Sequence, residues 1–268
     1  MSSIVTDQGV VHYEVVGRGR PVILLHGWIG SWGYWLNTMS CLESHYRGYA
    51  LDFWGFGDSG KTRGSFQVND FVELVDQFMD RLGIDAAPII GHSMGGTVAL
   101  SLALSKPERV KQIVVVGSPI VGNSLSFWLQ LAGKPWIATL LWKFPIFLRI
   151  FLKLMSLRAT QKSDEWYQMV TRDVSDTTLE SFFTSIRSLR YTDLTSLLSN
   201  ISVPTLGIYG ESDIIVNPKQ ASVLGKNLAS SQIEMMPGSG HFPMLDEPVP
   251  FNRRLLDFLY QDVQEQLQ

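Results

Sequence analysis

Short apolar runs alternate with longer amphipathic stretches along most of this chain. The apolar runs predict strands, and they are residues 22–25, 47–51, 88–90, 110–116, 203–210 and 232–236. The longer stretches predict helices, and they are residues 32–39, 65–82, 97–104 and 249–263. Residues 4–6 and 10–16 favour an antiparallel hairpin at the sheet edge. Because strands alternate with helices, we expect an α/β fold with a mostly parallel central sheet flanked by helices.

The alternation stops in the middle of the chain. Residues 119–199 contain no convincing strand and favour helices, so we expect a helical cap inserted into the core. Residues 1–118 and 200–268 would then form that core. A chain of 268 residues, 45% of them hydrophobic and without internal repeats, is long enough for one such domain with one insertion.

A sharp turn is predicted where the strand at 88–90 meets the helix at 97–104. The turn carries Gly91, Ser93 and Gly95 in a Gly-x-Ser-x-Gly spacing, which is typical of a nucleophile elbow. Side chains at the two glycine positions would clash, because strand and helix approach closely there. The turn lifts the serine hydroxyl to a helix N-terminus, where N–H groups favour developing negative charge. Ser93 is therefore the candidate nucleophile.

A serine nucleophile needs a base, and the base needs an acid that orients it. Asp213 follows the strand predicted at 203–210, and His241 follows the strand at 232–236. Loops at the carboxyl ends of neighbouring strands are where open α/β sheets gather their ligands. Together with Ser93, these residues form a candidate catalytic triad in the chain order Ser, Asp, His.

The loop after the strand at 22–25 is the candidate for an oxyanion hole. Acyl-transfer sites of this type take one backbone N–H from the residue after the nucleophile, here Met94. We assign the second N–H to Trp28, in the loop. His26 lies beside Gly27 in the same loop, and we expect it to brace the loop by hydrogen bonding rather than to act in catalysis.

These motifs together resemble the α/β-hydrolase superfamily, close to its esterase-like and lipase-like single-domain members. The matching segments span the chain outside the middle insertion, and they are residues 26–28, 52–59, 91–96, 210–213 and 241–248. The resemblance implies that Asp213, rather than Glu211, is the acid of the triad. A serine at position 93 differs from the aspartate that the dehalogenases and epoxide hydrolases of this superfamily use. The loop at 26–31 departs from the loop that carbon–carbon-cleaving members usually carry.

The resemblance implies hydrolysis of a carboxylic ester through an acyl-enzyme on Ser93, and an apolar cap favours a lipophilic ester. A thioesterase, an acyltransferase or a perhydrolase would use the same residues, and a ligand receptor with little turnover could keep the same fold. These alternatives stay open. The residues expected to contact the substrate are Gly27, Trp28, Trp54, His92, Trp128, Trp142 and Phe242.

Composition excludes several other classes of function. The net charge of −3 and the pI near 5.9 argue against a nucleic-acid partner. There is no metal-type Cys or His spacing and no phosphate-binding glycine loop, so we expect neither metal nor cofactor. A single cysteine and the lack of a signal-peptide pattern at the N-terminus favour a cytoplasmic location.

Three residues near these motifs are expected to have structural roles. Cys41 follows a predicted helix and has no elbow around it, so we expect it to pack. Asp52 is expected to anchor the glycine-rich loop at 52–59 through hydrogen bonds, while Phe53 beside it lines the pocket. Asp246 is expected to cap the last helix.

The first half of the cap has an unusual charge. Residues 119–163 contain six basic residues and no acidic one, so the remainder of a chain with net charge −3 carries −9. Aromatic and aliphatic residues lie between the bases, and Pro135 and Pro145 keep every apolar run below the ~20 residues that span a bilayer. Two interpretations stay open: a lid over the pocket, or a lid that also makes peripheral contact with an anionic membrane.

Overall fold

The computed structural model of the protein describes residues 2–61, 65–132 and 134–265, with side chains except at residues 132, 138 and 261–265. Its strands are β1 (Ser2–Thr6), β2 (Gly9–Gly17), β3 (Arg20–Leu25), β4 (Tyr46–Leu51), β5 (Ala87–His92), β6 (Val110–Val116), β7 (Thr205–Gly210) and β8 (Ser231–Met236). They form one eight-stranded sheet in the order β1-β2-β4-β3-β5-β6-β7-β8. β2 pairs antiparallel with β1 and β4, and all other neighbours pair parallel. The predicted α/β fold class is confirmed.

The helices separate into those that pack on the sheet and those that follow one another between β6 and β7. In chain order they are α1 (Leu36–Leu42), α2 (Val68–Leu82), α3 (Met94–Ser105), α4 (Phe127–Ala132), α5 (Pro135–Lys143), α6 (Pro145–Ala159), α7 (Ser163–Ser175), α8 (Leu179–Tyr191), α9 (Gln220–Asn227), α10 (Pro243–Asp246) and α11 (Pro248–Glu265). α3 packs against β5 and β6. Helices α4 to α8 lie between β6 and β7, and we call them the cap.

The central strands are apolar on both faces because helices cover both sides of the sheet. Residues 22–25 of β3 are fully buried, as are residues 89–90 of β5 and residues 113–116 of β6. Continuous apolar runs of this kind are typical of parallel strands, in contrast to the alternating pattern of a sheet with one face in water. The sheet therefore forms a rigid base from which loops extend at the carboxyl ends of the strands.

Two helices have different bounds from those that apolar spacing predicted. The helix predicted over 65–82 begins at Val68, because Gln67 and Asp70 form a capping box at its start. The helix predicted over 32–39 is a 3₁₀ turn followed by α1, which extends to Leu42 and therefore contains the half-buried Cys41.

Asp246 has a different role from the one predicted for it. Its Oδ1 accepts a hydrogen bond from the backbone N–H of Gln161 at 2.8 Å, and its Oδ2 accepts one from Gly240 at 2.8 Å. The carboxylate therefore joins the end of the cap to the loop of His241 instead of capping α11. That helix begins with Pro248, which has no N–H to cap.

Candidate active site

Ser93 occupies the sharp turn between β5 and α3. Its backbone is in the left-handed region, with φ of 51° and ψ of −116°, which is uncommon for a residue other than glycine. Two glycines allow this turn, because a Cβ at Gly91 would lie 2.3 Å from the backbone of Gly95. A Cβ at Gly95 would lie 2.4 Å from the carbonyl oxygen of Leu25. The close approach inferred from the sequence is therefore present.

His241 and Asp213 form a buried pair on neighbouring loops. The Nδ1 atom of His241 lies 2.7 Å from Oδ2 of Asp213, and the two side chains are 4% and 1% exposed. The other carboxylate oxygen of Asp213 accepts hydrogen bonds from the N–H groups of Ile215 and Val216, at 2.7 and 2.9 Å. Glu211, the other acid in this loop, is exposed. Asp213 is therefore the carboxylate that can orient the imidazole.

The backbone of His241 is also held by the cap. Its N–H donates to the carbonyl of Ala159, the last residue of α6, at 2.8 Å. Its carbonyl accepts a hydrogen bond from Nε2 of His92 at 2.9 Å. Burial, together with the nearby His241, holds the pKa of His92 well below its usual range, so this imidazole stays neutral. His92 thus positions the loop of the base rather than serving as a second base.

The loop after β3 lies directly against the nucleophile. A Cβ at Gly27 would be 2.8 Å from Nδ1 of His92 and 3.1 Å from Cβ of Ser93. The neighbouring Trp28 donates its indole N–H to the carbonyl of Phe182 in α8, at 3.0 Å. Met94 is the first residue of α3, so its backbone N–H is one of the groups left free at a helix start. Trp28 and Met94 both lie beside Ser93, and their assignment to the oxyanion hole stays a prediction.

His26 braces this loop as its position suggested. Its Nδ1 lies 2.7 Å from the carbonyl of Gly27, and its Nε2 accepts a hydrogen bond from the N–H of Phe53 at 2.9 Å. The imidazole is fully buried, and burial lowers its pKa. Both ring nitrogens are occupied by main-chain groups, so His26 ties the loop after β3 to the loop after β4.

Asp52 anchors the loop at 52–59. Its Oδ1 accepts a hydrogen bond from the backbone N–H of Trp32 at 2.7 Å. Its Oδ2 accepts one from the backbone N–H of Asp58 at 3.0 Å and lies 2.9 Å from Nδ1 of His12. The hydrogen bond from His12 to Asp52 raises the pKa of that histidine. The side chains of His12, Asp52 and Asp58 have ligand atoms within 4.8 Å of one another, as a metal site requires. Both Asp52 oxygens already accept N–H groups, so the cluster acts as a brace.

A cavity of about 50 Å³ lies between the candidate triad and the cap. Ser93 and His241 are in its wall, together with Trp28, His92 and Phe242, which the sequence placed at the site. Its remaining wall is apolar and comes largely from the cap, and it includes Leu125, Leu129, Phe151, Leu152, Met155, Trp166, Ile186 and Leu189. Helical spacing in α6 could have identified Leu152 and Met155, which lie three residues apart on its inner face.

Four side chains that the sequence placed at the pocket lie elsewhere. Trp54 is fully buried and donates its indole N–H to Thr6 at 3.2 Å, and Phe53 is equally buried against Phe71 in the core. Trp128 is 59% exposed on the outside of the cap. Trp142 lines a separate groove of the cap. The structure does not bring these side chains into the wall of the catalytic cavity.

Comparison with known proteins agrees with this fold. Residues 20–248 match the sequence model of the alpha/beta hydrolase fold family. The chain belongs to that family. This α/β-hydrolase is 26% identical to a pimeloyl-[acyl-carrier protein] methyl ester esterase of Vibrio campbellii, over 92% of this chain and 98% of the relative. It is 29% identical to a 2-hydroxy-6-oxo-6-phenylhexa-2,4-dienoate hydrolase of Burkholderia cepacia, over 93% and 91% of the two chains.

Solved structures show the same architecture. A thermophilic esterase from Thermogutta terrifontis superposes on this α/β-hydrolase with a TM-score of 0.85 at 22% identity, covering 97% of this chain and 98% of the other. An esterase from Exiguobacterium antarcticum gives a TM-score of 0.83 at 23% identity, covering 95% and 97% of the two chains. At these identities the likeness establishes the fold.

Proposed function

We propose that this α/β-hydrolase cleaves neutral, lipophilic carboxylic esters through an acyl-enzyme on Ser93. The observation that carries the proposal is the buried 2.7 Å contact between His241 and Asp213 beside the cavity that holds Ser93. An imidazole fixed at Nδ1 by a carboxylate presents Nε2 as a proton acceptor, which is what a serine nucleophile requires. The esterases among the similar proteins support the same reaction class.

Each step of the proposed reaction has a group to perform it. His241 takes the hydroxyl proton of Ser93 as the Oγ attacks the ester carbonyl carbon. The negative charge on the carbonyl oxygen is stabilised by the N–H groups of Met94 and Trp28. As the intermediate collapses, the C–O bond of the leaving alcohol breaks and His241 gives that oxygen its proton. Water then attacks the acyl-enzyme in the same way and releases the acid.

The lining of the cavity indicates the class of ester. None of the described residues in its wall is a lysine, an arginine, an aspartate or a glutamate. A substrate with an ionised tail would therefore lose its hydration without gaining a partner of opposite charge, which is costly in an apolar site. The site consequently suits an uncharged acyl chain. It does not suit the carboxylate of a dienoate such as the one in the name of the Burkholderia cepacia relative.

The size of the cavity bears on how a substrate enters. Ligand pockets typically measure ~300–1,000 Å³, whereas this cavity measures about 50 Å³ and leaves Ser93 5% exposed. A lipophilic ester therefore requires an outward displacement of cap side chains or helices before it reaches the serine. The cap is thus part of the proposed reaction cycle.

The decisive experiment compares two matched p-nitrophenyl esters, one with a saturated acyl chain and one of equal length ending in a carboxylate. We expect kcat/KM to be at least about tenfold higher for the uncharged ester. A fluorophosphonate probe should label the wild-type protein at Ser93, and Ser93→Ala should abolish both labelling and turnover. Labelling that persists in Ser93→Ala would contradict the assignment of the nucleophile.

The same assay separates the other functions that the triad could serve. A thioester turned over much faster than the matched oxygen ester would indicate a thioesterase. Product formed from an added alcohol in preference to water would indicate an acyltransferase. Binding of a lipophilic ester without turnover would indicate a receptor. Each of these outcomes would replace ester hydrolysis as the function.

A further inference from the structure

The outer surface of the cap is the most apolar exposed region of the described structure. Of its 18 exposed large hydrophobic side chains, ten lie within residues 127–157. Trp136 is 66% exposed, and Leu154 and Leu157 are more than 60% exposed. Exposed apolar patches of this extent mark interaction sites on proteins. We call the outward side of α4, α5 and α6 the cap outer face.

Helix α6 shows why this face is not simply the back of a lid. Its inward residues, including Leu152 and Met155, are buried over the cavity. At about 100° per residue, its exposed apolar residues cover an additional arc of about 100° on the outward side. That arc is formed by Ile146, Phe147, Ile150, Leu154 and Leu157. A helix that is apolar on two sides needs a cover on both, and the described structure covers the inward side only.

Basic residues border the outward arc of α6. Arg149 and Lys153 lie along one edge of it, and Arg158 lies along the other. Lys153 is engaged by Asp164 at 2.8 Å, whereas the described structure shows no ion pair at Arg149, Arg158 or the exposed Lys143. With six bases and no acid over residues 119–163, the charge is of one sign across the cap outer face.

We infer that the cap outer face docks on an anionic lipid surface. Apolar and aromatic side chains in a broad arc, bordered by Lys and Arg, are the pattern of helices that lie in a membrane interface. The bases lie along the edges of the apolar arc of α6, where lipid headgroups would meet them while the arc enters the acyl region. No described helix is long and apolar enough to cross a bilayer.

A groove in the cap adds a second, independent observation. It measures about 240 Å³, and its lining includes Trp142, Pro145, Leu148 and Arg149, close to the cap outer face. Leu152 lines both this groove and the catalytic cavity, so the two spaces adjoin at this side chain. An acyl chain that enters the groove from lipid would contact a residue that also faces the cavity of Ser93. The use of the groove as a route for an acyl chain rests on the proposed function, whereas the docking itself does not.

The test measures partitioning of the full chain onto vesicles of phosphatidylcholine, with and without phosphatidylglycerol, at low and physiological salt. The charge variant is the triple Lys143→Gln, Arg149→Gln and Arg158→Gln. Its matched control is a triple change to glutamine at three exposed lysines of the core, namely Lys111, Lys219 and Lys226. We expect the charge variant to partition about 100-fold more weakly onto anionic vesicles, while the control stays close to wild type.

A second variant tests the apolar part of the surface. Ile150→Ser with Leu154→Ser should weaken partitioning onto anionic vesicles with its salt dependence unchanged. Quenching of tryptophan fluorescence by brominated lipid should report insertion of the wild type. Melting temperatures of all variants show whether they remain folded.

Two results would overturn the inference. One is wild-type protein that ignores anionic vesicles at low salt; the other is a core control that loses as much binding as the charge variant. Tight binding of an acidic carrier protein in the absence of vesicle binding would replace the lipid surface with a protein partner. Ser93→Ala should bind vesicles like wild type, so a failure of the proposed catalysis is distinguishable from a failure of docking.

Discussion

Ser31 of the core donates a hydrogen bond to Oδ1 of Asp173 in the cap across 3.1 Å, and both side chains are buried. The guanidinium of Arg172 approaches the same oxygen at 3.3 Å, while Oδ2 of Asp173 has no hydrogen-bond partner among the described residues. Burial outweighs these contacts and raises the pKa of Asp173 to about 6. A carboxyl group of the cap therefore titrates beside the loop that carries Trp28.

The raised pKa of Asp173 predicts how stability depends on pH. The folded state holds this proton up to about pH 6, whereas the unfolded chain releases it near 4, so the folded state binds more protons in between. The protonated Asp173 stabilises the folded state fully below about pH 4, and this stabilisation is lost as the pH rises through about 6. The loss is about 3 kcal/mol in the free energy of unfolding.

Urea unfolding across this range checks the prediction. Asp173→Asn keeps the size of the side chain and removes the titration, so its free energy of unfolding should fall less between about pH 4 and pH 7. Identical pH profiles for the variant and the wild type would show that Asp173 does not carry the effect.

The two acids of the loop after β7 should differ sharply in their effect on catalysis. Asp213→Asn leaves a side chain of the same shape but favours the wrong imidazole tautomer, and we expect kcat to fall by about 10⁴. Glu211→Gln changes an exposed carboxylate and should leave kcat within about twofold of wild type. Steady-state kinetics with a short ester, at matched melting temperatures, makes the comparison. A larger loss in Glu211→Gln would mean that the acid has been misassigned.

We expect His241, the proposed base, to matter as much for kcat as Ser93, the proposed nucleophile. We expect His241→Ala to lower kcat by roughly 10⁴ to 10⁶, close to the loss in Ser93→Ala, because the triad works as a unit. The double variant should be little worse than either single one. Multiplicative losses in the double variant would show that the two residues act independently.

We expect one methyl group added at Gly95 to lower the free energy of unfolding strongly. Gly95→Ala would place a Cβ 2.4 Å from the carbonyl oxygen of Leu25, so strand and helix must separate. We expect a loss of about 3 kcal/mol or more in the free energy of unfolding. Gly48→Ala is the matched control, because its Cβ would meet only ordinary contacts at 3.5 Å or beyond. Equal losses in chemical denaturation would rule out this account of the turn.

Leu152 should control which chain lengths the enzyme accepts. Leu152→Ala removes most of a side chain that lines both the groove of about 240 Å³ and the catalytic cavity, at a cost to stability of about 2–5 kcal/mol. We expect the ratio of kcat/KM for long acyl chains to that for short ones to rise at least about tenfold. Leu224→Ala removes an equally buried leucine from α9 and controls for lost stability. An unchanged ratio would mean that the groove is not a route to Ser93.

The turn at Ser93 and the contact between Asp213 and His241 were predictable because both have short-range signatures. The glycines around Ser93 mark a turn that few sequences can make, and Asp213 and His241 each follow a strand at close range. Parallel strands bring their carboxyl ends to one edge of the sheet, so the sequence order also implied proximity in space. The observed contact of 2.7 Å is the result of that topology.

The cavity wall was less predictable because it depends on how the cap packs. Trp54 is adjacent to a loop near the site, yet its indole is directed to Thr6, and local sequence does not determine that direction. Tyr34 and Trp166 line the cavity from a 3₁₀ turn and from α7. Their positions depend on long-range packing of the cap on the core, which periodicity along one helix does not encode.

The hydrogen bond from the N–H of His241 to the carbonyl of Ala159 fixes the C-terminal end of α6. Its C-terminus is tied to the loop of the base, and Gln161 just beyond it is tied to Asp246. Any movement of α6 that keeps these hydrogen bonds is smallest beside the imidazole and largest near Pro145, at the opposite end. Such a movement would uncover the cavity without displacing His241 from Asp213.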